Sequence, residues 1–161
     1  MTGQPRLRLL GFAVIAGVLA FDQATKQYAL EAFSPIEPIA VLPFLDLTLT
    51  WNRGVSFGLF GSGALPAVLF IGVALIISAF LLWQMLKAPA WVATLGYALI
   101  VGGAVGNVID RAIYGAVIDF LLLHWRSWSW PVFNVADMSI TFGVVLILID
   151  SLWPGPPSTT Q

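Results

Sequence analysis

Cysteine is absent from this 161-residue chain, and histidine occurs once, at His124. Without cysteine there is no disulfide, no thiolate metal site and no cysteine nucleophile. A lone histidine cannot build a multi-histidine metal centre, and a serine–histidine pair would have to use His124 itself. Charge is scarce too. Only 9% of the residues are Asp, Glu, Lys or Arg, against about a quarter in soluble domains. A soluble globule of this size could not cover its surface with so few. The formal net charge of −1 leaves no basic face for nucleic acid. What the chain does have is hydrocarbon: 59% hydrophobic residues and a mean hydropathy of +0.92. Its apolar side chains must face lipid as well as each other.

Four apolar stretches read as membrane spans, at about residues 7–30, 65–86, 91–109 and 138–153. Each approaches the ~20 residues a helix needs to cross hydrocarbon. The fourth is short. At ~1.5 Å per residue it covers roughly 24 Å, so its first turn, near Asp137, should lie at or just below a membrane surface. The expected class is an all-α membrane protein: one integral domain over residues 1–161, built as a four-helix bundle. A small β-sheet is expected at about 34–64, an outer connecting loop between the third and fourth spans, and a disordered Pro/Ser/Thr-rich tail at 154–161. Small residues recur at four-residue spacing at Ala13/Gly17, Ala16/Ala20, Ala74/Ser78 and Gly102/Gly106, a pattern that lets helices approach closely in lipid. Arg6, Arg8 and Lys87 flank spans on one side, which the positive-inside rule makes cytoplasmic. Both termini are then cytoplasmic and both long connections face outward. Arg6, Arg8 and the run ending Val18-Leu19-Ala20 look like a cleavable leader. The favourable Asp22–Lys26 spacing continues the helix, so the segment reads as an uncleaved anchor.

The first outer connection has strand character. Residues 45–52 alternate apolar and polar, which places Leu45, Leu47, Leu49 and Trp51 on one face and Thr48 on the other. Asn52-Arg53-Gly54 suits a turn, and a second run, residues 55–60, can pair back. Trp51, Trp125, Trp128 and Trp130 suit the headgroup belt, with simple interfacial anchoring the plainer reading of each.

With the apolar background removed, polar residues cluster at the outward ends of spans: Asp22/Lys26, Asn52/Arg53, Asn107/Asp110/Arg111, Asp119 and Asn134/Asp137. Asn107, Asp110 and Arg111 share one helix face. Polar groups in a membrane must find partners, most simply each other, and a carboxylate there is a functional candidate by default. Plainer readings stand beside this one. Asp22/Lys26 reads as a structural ion pair, Asp110/Arg111 as a scaffold for loops and His124 as an interface residue. Asn134 reads equally as an N-cap with Asp137 in the first turn, which complements the helix dipole. Arg53 reads equally as a headgroup contact. Asp119, in Val117-Ile118-Asp119-Phe120, has the weakest plain reading, because it has no nearby cation in sequence and no cap role.

These blocks carry a resemblance. Residues 22–26, 52–58, 102–111, 117–120 and 133–137 occur in the order found in bacterial lipoprotein signal peptidases, the signal peptidase II family of aspartic peptidases. The resemblance implies that Asp119 and Asp137 form the catalytic pair. It implies that Asp22, Asn52, Gly54, Asn107, Arg111 and Asn134 support the site or contact substrate. Lys26, Arg53, Asp110 and Ala136 lie within the same blocks and join the candidate set. Val55-Ser56 departs from the family's frequent alanine pair, a difference that bears on substrate packing. The implied substrate is a prolipoprotein whose signal peptide ends before a diacylglyceryl-modified cysteine, cut on that cysteine's amino side. The implied setting is the bacterial inner membrane, with a periplasmic sheet, a site near the outer leaflet, and contact with membrane lipid. No cofactor or metal is expected, no nucleic acid partner, and action as a monomer. The residues independently favour two carboxylates activating water, one ionised and one neutral. The alternative is a small proton-coupled transporter or channel, which would place carboxylates near mid-span and break helices in both halves.

Overall fold

Four helices in the computed structural model, which describes residues 3–54 and 67–152, are long and apolar enough to cross a membrane. They are α1 (Gly3–Ala32), α2 (Ala67–Lys87), α3 (Trp91–Tyr114) and α4 (Val135–Leu152). Strands β1 (Ile39–Leu42), β2 (Leu45–Asn52), β3 (Val117–Trp125) and β4 (Trp128–Ser129) form one antiparallel sheet in the order β1-β2-β3-β4. The fold is mostly helical and of membrane type, with a small sheet, as its sequence predicts. The expected pairing of residues 55–60 and the tail at 154–161 lie outside the described residues.

Helix α3 is central. It packs against α1, α2 and α4 and is the most buried of the four. Glycine makes this possible. A Cβ on Gly103 would run into the Ala136 carbonyl oxygen of α4, and one on Gly106 into the Asp22 carboxylate of α1. The Gly102/Gly106 spacing thus marks close helix packing. The small pairs of α1 behave differently. Ala13, Ala16, Gly17 and Ala20 all face outward, and Gly17 has open space where a Cβ would be. The inward stripe of α1 is set by Asp22 and Lys26, with Gly11 and Ala29 on the same face. Keeping an ion pair out of hydrocarbon outweighs the smaller gain from packing small residues.

Strand β2 occupies the residues whose alternation predicts it, but its alternation does not hold throughout. The register slips between Leu47 and Thr50, a bulge that puts Thr50 opposite Asp119 of β3. As a result Thr48 is buried, its hydroxyl donating to the Ser34 carbonyl at 3.4 Å. Trp51 turns outward against Tyr114, with ring centroids 5.6 Å apart. The expected single face of Leu45, Leu47, Leu49 and Trp51 is therefore corrected. The outer connection between α3 and α4 adds strands β3 and β4. The first four residues of β3 are buried, Asp119 among them, so this stretch shows no alternation of buried and exposed positions.

Helix α3 runs on through its polar end to Gly115, whose φ of 70° gives a left-handed cap with its N–H bonded to the Arg111 carbonyl at 3.0 Å. The Asp110 carboxylate then accepts the Ile118 N–H at 3.2 Å. These two contacts hand the chain from α3 into β3 and fix where Asp119 stands.

Candidate active site

Two carboxylates reach the site from different elements, Asp119 from β3 and Asp137 from the first turn of α4. Three asparagines hold them. Asn52, at the end of β2, donates its amide to Asp119 Oδ2 at 3.0 Å. Asn134 donates to Asp119 Oδ1 at 2.7 Å and to the Ile118 carbonyl at 3.2 Å. Asn107, on α3, donates to Asp137 Oδ1 at 2.9 Å. Asn134 also caps α4. Its Oδ1 accepts the Asp137 N–H at 3.0 Å, while Asp137 Oδ2 accepts the Asn134 N–H at 3.2 Å. That reciprocal pair is a capping box with an Asn–Asp sequence. One side chain thus serves both readings of Asn134, because the helix cap and the grip on Asp119 use opposite ends of its amide.

Which way each amide points follows from chemistry. The group beside each Oδ1 can only donate: the Gly54 N–H at 2.9 Å for Asn52, the Asp137 N–H for Asn134 and the Lys26 ammonium at 3.0 Å for Asn107. Each NH2 is thereby turned toward an acceptor. Gly54 can serve Asn52 because it lies at φ 101°, where a side chain would be strained, and because a Cβ there would meet the Phe70 ring at 2.6 Å.

Beneath the aspartates lies a second, fully buried cluster. Lys26 Nζ sits 2.8 Å from Asp22 Oδ2 and 2.7 Å from Asp110 Oδ2. Asp22 Oδ1 accepts the Ala136 N–H at 2.9 Å, which ties α1 to the start of α4. Gln23, absent from the candidate set, bridges the two acids with its amide, 3.2 Å from Asp22 and 3.1 Å from Asp110. Its signal in the sequence was its place in the same polar stripe as Asp22. Phe70 of α2 was also missed, since nothing distinguishes it among the apolar residues around it. It packs on Gly54, and its ring lies 5.4 Å from the Arg111 guanidinium.

Burial above all pushes the Asp119 carboxyl up, to about 6; the Asp137 charge adds to this, while the Asn52 and Asn134 amides and Lys26 pull the other way. Arg111 lies within electrostatic reach of Asp137, Asp119 and Asp110. Each aspartate opens onto its own cavity. One of about 620 Å³ is lined by Asp119 with Thr50, Asn52, Arg53, Gly54 and Arg111. One of about 380 Å³ is lined by Asp137 with Leu123, Trp130, Met138 and Phe142, and is almost wholly apolar. Arg53 thus faces the first cavity. His124 stands apart from the cluster, 3.2 Å from Asp46. Among the described residues no three His, Cys, Asp or Glu side chains converge as a metal site requires.

The sequence pattern of signal peptidase (SPase) II matches residues 14–153. This chain belongs to the signal peptidase II family. It is 45% identical over 148 residues to the lipoprotein signal peptidase of Methylobacterium sp. (strain 4-46), covering 90% of each chain. It is 45% identical over 154 residues to that of Methylorubrum extorquens (strain PA1), covering 92% of this chain and 90% of the relative. Among solved structures, a bacterial membrane enzyme determined by the in meso method at 1.9 Å aligns with a TM-score of 0.78 and 31% identity, over 89% of this chain and 92% of the other. A second, at 2.3 Å, aligns with a TM-score of 0.77 and 28% identity, over 94% and 93%. Signal peptidase II membership makes the chain a multi-pass membrane hydrolase of the aspartic type, consistent with the bacterial inner membrane. The transporter alternative finds no support and is set aside.

Proposed function

We propose that this signal peptidase II family member is an intramembrane aspartic endopeptidase that frees prolipoproteins of their signal peptides, with Asp119 and Asp137 as the catalytic pair. It cuts on the amino side of the diacylglyceryl-modified cysteine. The observation that carries the assignment is the asparagine frame: three amides from three elements converge on these two carboxylates and no others.

In this reading Asp137 is the ionised partner. It lies in the first turn of α4, where the helix dipole favours an anion, and it accepts two N–H groups. In the reactive form Asp119 carries the proton, because its carboxyl, pushed up to about 6, takes one up far more readily than an ordinary carboxyl. Asp137 takes a proton from water as the water oxygen attacks the scissile carbonyl carbon. Asp119 gives its proton to the carbonyl oxygen, so the tetrahedral intermediate forms without a free oxyanion. Collapse re-forms the carbonyl, returns that proton to Asp119, and passes the proton on Asp137 to the departing amine. The pair, rather than either residue, owns the apparent pKa values.

Several features support an outward-facing site on a single chain. Arg8 bonds the Leu86 carbonyl at 3.1 Å, which groups Arg8 and Lys87 at the end of the bundle away from the sheet. The positive-inside rule makes that end cytoplasmic, with both termini, and leaves the aspartates toward the periplasmic leaflet. We read the protein as acting as a monomer. The apolar outer faces of the helices fit contact with lipid. The test is a gel-shift assay of a lipid-modified prolipoprotein with purified protein. A lipoprotein shortened by its signal peptide is expected. An uncut substrate, or cleavage that persists in Asp137→Asn, refutes the reading.

A further inference from the structure

Lys26 has a place in the structure that an ion pair alone does not explain. Its ammonium has three protons and three acceptors: Asp22 at 2.8 Å, Asp110 at 2.7 Å and Asn107 Oδ1 at 3.0 Å. Two carboxylates already surround one positive charge. The third contact goes to a neutral amide whose other end touches Asp137 at 2.9 Å. An amide beside a carboxylate has one useful orientation. With NH2 toward Asp137 it donates; flipped, it sets a carbonyl dipole against the anion. Among the described residues two partners of Asn107 Oδ1 oppose the flip, Lys26 and Asn134 Nδ2 at 3.2 Å, and Asn134 has its own demands from Asp119 and Ile118. An ammonium is the stronger anchor, because charge-assisted bonds are about twice as strong as neutral ones. Lys26 is itself held against rotation, fully buried and clamped from α1 and α3.

We infer that Lys26 is a positioning residue for the proteolytic reaction: it acts through Asn107, fixing the amide that holds Asp137 where it takes a proton from water. This rests on the proposed pair of Asp119 and Asp137. The two buried acids have their own part, which is to keep the ammonium charged and aimed. Asp22 also reaches the Ala136 N–H, and Asp110 the Ile118 N–H, so the residues that hold Lys26 also hold the backbone beside each catalytic aspartate.

Lys26→Met alone strands two buried acids and can fail to fold. The test therefore uses the charge-balanced pair Lys26→Met/Asp110→Asn, which removes one charge of each sign. It is compared with Asn107→Ala, with the triple variant and with wild type. Single-turnover rates, KM and melting temperature are measured on a lipid-modified prolipoprotein. The paired variant is expected to lose at least tenfold in rate with KM within about twofold. In the Asn107→Ala background the same two changes are expected to cost less than about threefold, because Lys26 has then lost its route to Asp137 and Asp110→Asn keeps a side-chain oxygen for the Ile118 N–H. A purely structural role would lower the melting temperature and cost the same factor in both backgrounds. Equal factors in the two backgrounds, or a paired variant within twofold of wild type, overturn the inference and leave the catalytic pair standing. If Asp137→Asn still cleaves, the pair itself is wrong and the inference falls with it.

Discussion

Asp119 shows why the two catalytic candidates are unequal. Burial raises its carboxyl to about 6 from the ordinary 3.8, so in the folded protein it binds a proton more tightly than in the unfolded chain. The sign follows from linkage. Below about pH 4 both states are protonated and nothing is lost; between about 4 and 6 the fold loses stability as pH rises; above 6 the full cost, on the order of 3 kcal/mol, remains. Asp119→Asn removes that cost but turns an NH2 toward Asn52 or Asn134, both of which donate to the native carboxylate. Leaving a buried donor unpaired costs about 1–3 kcal/mol, so the two effects roughly cancel at neutral pH. We expect Asp119→Asn to melt close to wild type at pH 8 and clearly below it at pH 4, with cleavage abolished at both. The check is thermal denaturation in detergent across that range beside the gel-shift assay. A variant that keeps a tenth of wild-type turnover would remove Asp119 from the chemistry. Asp119 was legible in the sequence because a carboxylate between Ile118 and Phe120 has no bland role. Gln23 was not, because an amide one residue from an acid on a helix has many ordinary uses.

At the scale of elements, the start of α4 joins stability to the site. Asn134→Ala removes the cap on Asp137 and the donor to Asp119 together. Cap loss costs about 1 kcal/mol, so a fall in melting temperature of about 2–4 °C is expected, together with a large fall in kcat. Unchanged melting would mean that α4 takes its cap elsewhere. The turn after β2 depends on Gly54 in a different way. Gly54→Ala would strain a φ of 101° by about 1–3 kcal/mol and press on Phe70, loosening Asn52 from Asp119. A fall in kcat is expected there, while Thr48→Ala should lower stability by about 1 kcal/mol and leave kcat alone. Thr48 shows where sequence patterning stops. Strict alternation puts it on the face opposite Leu45, Leu47, Leu49 and Trp51, and a bulge between Leu47 and Thr50 breaks that pattern. A bulge depends on the partner strand. That partner, β3, carries no alternation because its buried start faces protein on both sides. The helices were easier to read, since ~20 apolar residues leave hydrocarbon few alternatives.

For the whole molecule, the question with a functional consequence is which way the bundle crosses the membrane. The absence of cysteine makes the question directly measurable. Every polar group of the site lies at the end of the bundle that carries the sheet, and the turn between α2 and α3 lies at the other end, beside Arg8 and Lys87. These two basic residues lie within the short segments that the positive-inside rule reads. Arg53 and Arg111 do not compete with them, since both line the Asp119 cavity. Arg126, in the β3–β4 turn among the exposed Trp125, Trp128 and Trp130, fits phosphate headgroups of the outer surface. A single cysteine placed at exposed Ser127 in that turn would be unique in the chain, and so would one at exposed Pro89 between α2 and α3. In intact cells stripped of their outer membrane, a membrane-impermeant maleimide is expected to label Ser127→Cys at once and Pro89→Cys only after the inner membrane is opened. Both variants should still cleave substrate, because neither position touches the aspartates or the asparagines that hold them. The reverse labelling order would place the aspartates at the cytoplasmic face and would overturn the proposed orientation while leaving the fold untouched.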